Sequence, residues 1–354
     1  MSNQDMRAIV YHGPQDLRME QVTMPEIAPY EALLKVGSSS ICGTDLRIYH
    51  GAHRMYQPGT VRIPGHEVAG EIVQVGTQVT GLQPGQHVFI APNMGCGHCP
   101  ECISGRNNLC ANYTAVGINL DGSFAEYMRI PAAAIRQGNL IPISKELDPA
   151  EAALIEPFAC VLRGQEATNV HVGDSVLVVG AGPIGIMHAI LARLRGASTV
   201  ILSELLPDRL AQARQFGDFR LVNPTQEDLA QAVQQETHNR GADVILIAAP
   251  APRAQEQALD LAAIGGRINL FGGLPKDRPT ITFNSNTVHY KELVVTGTTA
   301  CSTYDCWRAA EIVLSRRIDL SPMISARFSF SQVAQAFALA EDRSALKVVF
   351  DPAI

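Results

Sequence analysis

The sequence predicts an α/β plus β architecture: a doubly wound parallel-sheet domain inserted between two parts of an irregular, partly barrel-shaped β domain. Three observations carry this. Residues 8–141 read as short strands broken by Gly and Pro, such as "R-A-I-V-Y", "E-A-L-L-K-V" and "H-V-F-I-A-P". Beyond Pro149 the grammar changes to alternating strands and helices, the pattern of a parallel sheet covered on both faces. The chain has 354 residues, too many for one ordinary core.

The elements follow in order. "D-P-A-E-A-A-L-I-E-P-F-A-C-V-L-R-G" reads as helix, with Pro157 marking a break or a new start. "S-V-L-V-V-G" is a buried strand, followed by a helix over 183–195. "T-V-I-L-S" precedes a helix over 208–216. "A-D-V-I-L-I-A-A" precedes a helix over 254–263, and "G-R-I-N-L-F-G-G" closes the series. After about residue 293 the mixed grammar returns, so those residues rejoin the first domain. The expected division is 1–157 with 296–354 for one domain and 158–295 for the other.

Composition bounds the class of molecule. It is 46% hydrophobic and 18% charged, as in a globular protein, with a net charge of -6 and no basic run to hold nucleic acid. The start "M-S-N-Q-D-M-R-A-I-V" lacks a signal peptide's basic and apolar segments. Gly, Pro and His interrupt the most apolar stretch, residues 176–192, so it suits a buried strand-turn-helix rather than a membrane span. The expectation is a cytoplasmic protein, in which eight cysteines are thiols and thiolates rather than disulfides.

"V-L-V-V-G-A-G-P-I-G" supplies Gly180, Gly182 and Gly185 in G-x-G-x-x-G spacing after a strand, with Pro183 opening a helix. The first glycine makes the turn, the second admits a pyrophosphate and the third lets helix and sheet pack closely. The helix N-terminus then faces the phosphates. Glu204 ends the next strand, 19 residues after Gly185, where a carboxylate accepts from ribose hydroxyls and repels a 2′-phosphate. NAD is favoured over NADP, although Arg209 stands near enough in sequence to hold such a phosphate.

"C-G-H-C-P-E-C-I-S-G-R-N-N-L-C" sets Cys96, Cys99, Cys102 and Cys110 in C-x2-C-x2-C-x7-C spacing, within a lobe over about 93–112. Four thiolates with no open position make a structural zinc site. Disulfides are disfavoured by compartment and tight spacing, and a four-iron cluster by the lack of a proline after Cys110. Arg106 lies within the loop, where it would offset part of the negative charge.

Cys42, in "S-I-C-G-T-D-L-R-I-Y-H-G", and His66, in "P-G-H-E-V-A-G-E-I-V-Q-V-G", would make an open zinc site with a carboxylate. The bland alternatives are a small buried thiol and a solvated glutamate.

With these motifs in place, the sequence resembles the zinc-dependent medium-chain alcohol dehydrogenase family across nearly its whole length. The G-H-E-x2-G-x5-G-x2-V signature is met by Gly65, His66, Glu67, Gly70, Gly76 and Val79. The resemblance implies a GroES-like catalytic domain, a Rossmann domain, two zinc ions per chain, NAD and a homodimer or homotetramer. "I-E-P-F-A" resembles the sorbitol and polyol dehydrogenase branch, which puts Glu156 where classical members carry a ligand cysteine. Either Glu67 or Glu156 then completes the site. With both bound beside Cys42 the centre would be net -1, raising a bound alcohol's pKa, so one glutamate is expected to act through water or to join transiently.

The resemblance further implies that Thr44 relays the alcohol's proton, and that Ile184, Phe271, Gly272, Thr298 and Thr299 lie along the cofactor. Arg47 stands where many members end the relay with histidine, and arginine accepts no proton near neutral pH. It would instead bind a cofactor phosphate or an anionic substrate group. His50 offers an imidazole as the base, or is a surface-loop histidine; Tyr49, His53 and Tyr56 either line the substrate mouth or belong to a polar loop. The expected reaction is reversible, NAD-linked oxidation of a sugar alcohol (polyol) to a ketose. The alternatives are L-threonine or a sugar-phosphate alcohol as substrate, or a non-catalytic nucleotide-binding protein.

Overall fold

The computed structural model describes residues 5–354, which divide into two compact units. One runs up to Ala159 and resumes with Cys301–Ile354; the other is Cys160–Ala300.

Cys160–Ala300 is built on six parallel strands. Across the sheet they lie in the order Arg220–Val222, Thr199–Ser203, Ser175–Val179, Ala242–Ile247, Ala262–Leu270 and Val294–Gly297. In chain order this is 3-2-1-4-5-6, with the reversal between Ser175–Val179 and Ala242–Ile247. The central strands are continuous apolar runs because helices cover both faces; Leu177, Ile201, Ile245, Ile247 and Ile268 are fully buried. Helices Pro183–Leu194, Pro207–Ala213 and Pro252–Leu261 each begin with proline, whose missing N–H costs nothing in a first turn. Asp228 caps helix Leu229–Glu236 by accepting from the Gln231 N–H at 2.9 Å. The expected helix over 208–216 becomes Pro207–Ala213 followed by a 3₁₀ turn, Arg214–Phe216. Arg220–Val222 has only three residues, too few for a hydrophobic period to register.

The other unit is largely antiparallel. A hairpin pairs Asp5–Gly13 with Asp16–Thr23. The main sheet runs Ile324–Phe328, Lys347–Phe350, Ala32–Ser40, Glu67–Val75, His87–Ile90 and Leu140–Pro142, and Tyr127–Ile130 also pairs with Ala32–Ser40. Residues beyond 300 rejoin it through Val349 opposite Ser40 and Phe350 opposite Ser39. Leu34, Val36, Val68, Ile72, Val88 and Ile90 form the central core, and Phe124, Phe330, Phe337 and Phe350 a second one. Two helices, Pro149–Ala153 and Ile155–Thr168, meet at Leu154. The break precedes Pro157, which is the third residue of the new helix and needs no donor there. Among the described residues no helix is long and apolar enough to cross a membrane.

Candidate active site

Sheet register assembles the first cluster. Ser40 lies opposite Glu67 in the antiparallel pair of Ala32–Ser40 with Glu67–Val75. Cys42, two residues beyond Ser40, and His66, one before Glu67, are therefore brought to the same end of the ladder. Ligand atoms of Cys42, His66 and Glu67 lie within 4.8 Å of one another. Cys42 also caps helix Gly43–Tyr49, and its backbone N–H donates to Asp45 Oδ2 at 2.9 Å. That contact turns Asp45 inward, and its Oδ1 stands 3.6 Å from His66 Nδ1.

Charge in this cluster is balanced rather than solvated. Glu67 is 0% exposed; its Oε2 accepts from Lys347 Nζ at 2.6 Å, and Lys347 donates also to the Ile41 carbonyl at 3.0 Å. Glu67 Oε1 is buried without a hydrogen-bond partner. Burial pulls the Lys347 pKa down, but the charges of Glu67 and Cys42 overcome it and raise the ammonium's pKa above its usual value. Burial likewise pulls His66 down, and the charges of Asp45 and Cys42 more than reverse it. An open-sided thiolate, imidazole and carboxylate set with an unpartnered buried oxygen fits a zinc ion.

Glu156 is buried outside that 4.8 Å group. Its Oε1 accepts from the Cys301 thiol at 3.6 Å. Burial raises its pKa; His66 and Lys347 oppose the rise and Glu67 adds to it.

Around the cluster, Thr44 Oγ1 accepts from Arg47 Nη2 at 3.0 Å, so Arg47 secures the hydroxyl it follows. The exposed His50 ring pairs through Nε2 with Glu341. His53 is half-buried; its Nδ1 accepts from the Met55 N–H at 3.3 Å, and burial, with Arg47 and His66 adding to it, draws its pKa down to about 4. Tyr56 belongs to a core: it is buried and its hydroxyl donates to the Gly117 carbonyl at 2.9 Å. Tyr49 packs against Phe337.

The sulfurs of Cys96, Cys99, Cys102 and Cys110 also lie within 4.8 Å of one another, with no disulfide among them. Gly95 makes room: a Cβ there would stand 2.3 Å from Cys102 Sγ. The Cys102 backbone N–H favours a thiolate at Cys99, but desolvation and the neighbouring sulfurs push its thiol up to about 12. The His98 backbone N–H leads the bonds that draw Cys96 down to about 6, so one sulfur ionises readily beside one that resists, and a cation suits such a set. Arg106 is exposed and donates to Ser104 Oγ at 3.1 Å.

In the other unit the glycine motif takes the form its spacing requires. Gly180 has φ +104°, and a Cβ on Gly185 would stand 1.7 Å from the Gly180 carbonyl oxygen. Gly182 caps helix Pro183–Leu194 without a side chain, leaving the first N–H groups open, with Ile184 in that turn. Glu204 Oε2 accepts from the Ala181 N–H at 2.9 Å, and Oε1 from Leu205 at 2.8 Å and Leu206 at 3.1 Å. Arg209 Nη1 is 4.0 Å from Glu204 Oε2. Gly272 donates to the Ile247 carbonyl at 2.8 Å beside Phe271, and Thr298 Oγ1 donates to Asn269 Oδ1 at 3.2 Å, one residue before Thr299. All lie at the carboxyl ends of the parallel strands, where such folds bind ligands. The cradle that a side chain would fill fits a dinucleotide.

Comparison with known proteins now decides the family. Residues 28–142 match the alcohol dehydrogenase GroES-like domain and residues 183–315 the zinc-binding dehydrogenase domain. An L-threonine 3-dehydrogenase from Thermococcus kodakarensis is 36% identical over 358 residues, 98% of each chain. The chain belongs to the zinc-dependent medium-chain alcohol dehydrogenases. An L-threonine 3-dehydrogenase from Chromobacterium violaceum is 34% identical over 95% of this chain and 96% of its own. A zinc-binding dehydrogenase from Sinorhizobium meliloti 1021, solved with NADP, superposes with a TM-score of 0.89 at 31% identity, covering 99% of this chain and 100% of its own.

Sequence reasoning missed three residues of this medium-chain dehydrogenase. Lys347 carried a signal: a lysine inside "A-L-K-V-V-F" must find a partner if that run is a buried strand. Asp45 sits in "C-G-T-D", where a carboxylate three residues into a helix reads as an ordinary cap. Cys301 carried none, since a lone cysteine reads as a small hydrophobe.

Proposed function

We propose that this dehydrogenase oxidises the secondary hydroxyl of L-threonine, with NAD as hydride acceptor. The observation that carries the chemistry is the Cys42, His66 and Glu67 cluster, with one Glu67 oxygen buried and unpartnered. The near full-length similarity to L-threonine 3-dehydrogenases supports the substrate over the polyol expected from "I-E-P-F-A". Arg47 adds a physical argument: an amino-acid substrate brings a carboxylate, and a guanidinium with N–H groups to spare beyond its bond to Thr44 suits one.

Cys42, His66 and a carboxylate, Glu67 or Glu156, would hold the zinc, while Cys96, Cys99, Cys102 and Cys110 would hold a second, structural one. Bound zinc supplies a Lewis acid that makes the substrate hydroxyl more acidic. Asp45 Oδ1, 3.6 Å from His66 Nδ1 and buried, would hold the ring by charge while His66 serves the metal. Lys347 neutralises Glu67, which reduces the excess negative charge that both glutamates would bring. Thr44 relays the hydroxyl proton, its Oγ1 accepting it while its own O–H proton passes on to solvent, and Arg47 fixes that Oγ1 without taking a proton. The open N-terminus of helix Pro183–Leu194 receives the pyrophosphate, and Glu204 accepts from the ribose hydroxyls and disfavours a 2′-phosphate.

The test is a substrate panel followed by NAD reduction: L-threonine, sorbitol, 2,3-butanediol and a polyol phosphate. L-threonine should exceed the others at least tenfold in kcat/KM. A polyol oxidised faster than L-threonine would sink the substrate assignment, and no oxidation of any alcohol by protein holding two zincs would sink the catalytic reading.

A further inference from the structure

Glu156 is held by the Cys301 thiol, which also meets Cys306 Sγ at 3.4 Å, and the Cys301 backbone is tied to the four-cysteine lobe. Cys301 donates to Glu156 Oε1 at 3.6 Å. A thiol is a weak donor, so the bond fixes the carboxylate only where the cysteine itself is fixed. Cys301 immediately precedes Ser302, which caps helix Thr303–Leu314 in a reciprocal box with Asp305; Ser302 Oγ donates to Asp305 Oδ2 at 2.7 Å and accepts from the Asp305 N–H at 3.1 Å. The Cys301 carbonyl accepts from Asn93 Nδ2 at 3.0 Å.

Asn93 in turn is gripped from the lobe. Its carbonyl accepts from Asn107 Nδ2 at 2.7 Å, and from Asn139 Nδ2 at 2.7 Å. Asn107 lies between Cys102 and Cys110, and its own carbonyl accepts from the Cys110 N–H at 3.1 Å. The far end of its side chain reaches Thr303, giving Nδ2 to Thr303 Oγ1 at 3.2 Å and receiving the Thr303 N–H on Oδ1 at 3.0 Å. Both atoms of one buried amide are therefore spent on the two segments that flank and hold Cys301.

We propose that the four-cysteine lobe positions Glu156, through Asn107, Asn93 and Cys301. This rests on reading Glu156 as a carboxylate of the catalytic metal site. Asn107 and Cys301 are positioning residues: neither need touch substrate. The consequence is that a lobe emptied of metal, or cut at Asn107, leaves Glu156 in the wrong place while Cys42, His66 and Glu67 stay where they are.

The experiment replaces the catalytic zinc with cobalt(II), leaves zinc in the lobe and records visible absorption without substrate. Asn107→Ala should shift the band as Cys301→Ala does, the double variant should shift it no further, and Cys301→Ser should restore the original band. Turnover in the zinc forms should fall about tenfold in either alanine variant, the scale of an outer-shell loss. Ser104→Ala, an exposed change within the lobe, should leave spectrum and turnover unchanged. Thr303→Val removes one arm only and should give a smaller shift in the same direction, which keeps the test alive if Asn107→Ala does not fold. An Asn107→Ala spectrum identical to that of the unaltered protein would overturn the proposal, as would additive shifts or an equal shift from Ser104→Ala. If neither Glu156→Gln nor Cys301→Ala moves the band, Glu156 does not belong to the site. The spectrum needs no substrate, so it still tests the link in a protein that oxidises no L-threonine.

Discussion

The four-cysteine cluster and the Cys42, His66 and Glu67 cluster, each able to hold a metal, are built by opposite means. The lobe draws four like ligands from one short segment, and three of its cysteines are partly accessible. The Cys42 cluster draws unlike side chains from separate segments, buries its carboxylate completely and brings a lysine from 280 residues away to neutralise it. A centre that only has to hold a metal can be local and uniform. One that must leave a position open needs ligands it does not fully exhaust, and a buried counter-charge takes the place of the missing ones.

The largest way to break this contrast is Cys42→Ala. It should abolish alcohol-dependent NAD reduction and remove one of two zincs by metal analysis, while NAD affinity, measured by titration, stays within about twofold. Next comes Lys347→Met, which strands a buried carboxylate and should cost about 3–5 kcal/mol in denaturant unfolding. The double variant Lys347→Met with Glu67→Gln should recover much of that loss; a fully additive result would mean that Lys347 acts by packing rather than by charge. Asp45→Asn comes third, lowering turnover and zinc affinity at the catalytic centre by about tenfold and leaving the lobe's zinc in place.

The smallest effect concerns a buried base with no counter-charge at all. His188 is 0% exposed beside Phe271, and burial lowers its pKa from 6.5 to about 3. The unfolded chain takes up a proton below pH 6.5 and the folded chain does not until about pH 3, so stability is full above that window and drains away through it. Relative to His188→Leu, the unaltered protein should lose about 1.4 kcal/mol of unfolding free energy between pH 7.5 and 5.5. A flat difference across that range would show that His188 gains a proton in the fold.

What was legible in the sequence follows the same division. The cysteine spacing of the lobe and the glycine spacing at 180–185 are local patterns, and the strands and helices around Gly180 fall within one or two residues of expectation. Cys42 and His66 were legible as ligand types, but their meeting depends on the Ser40 and Glu67 register, which no local pattern states. Lys347, Asp45 and Cys301 act through partners distant in sequence or through ordinary-looking caps. Their roles come from packing, which arises only once the strands are paired.

The pairing of Lys347 with Glu67 also imposes an order on biogenesis. During synthesis the lobe's ligand set is complete as soon as Cys110 has been made, and a metal bound there can stiffen the chain early. Glu67 acquires its ammonium partner only when strand Lys347–Phe350 has been made and has added itself beside Ala32–Ser40. Until then, a centre loaded with zinc would lack that neutralising charge. The enzyme's two metals are therefore expected to be acquired in sequence, the structural one first.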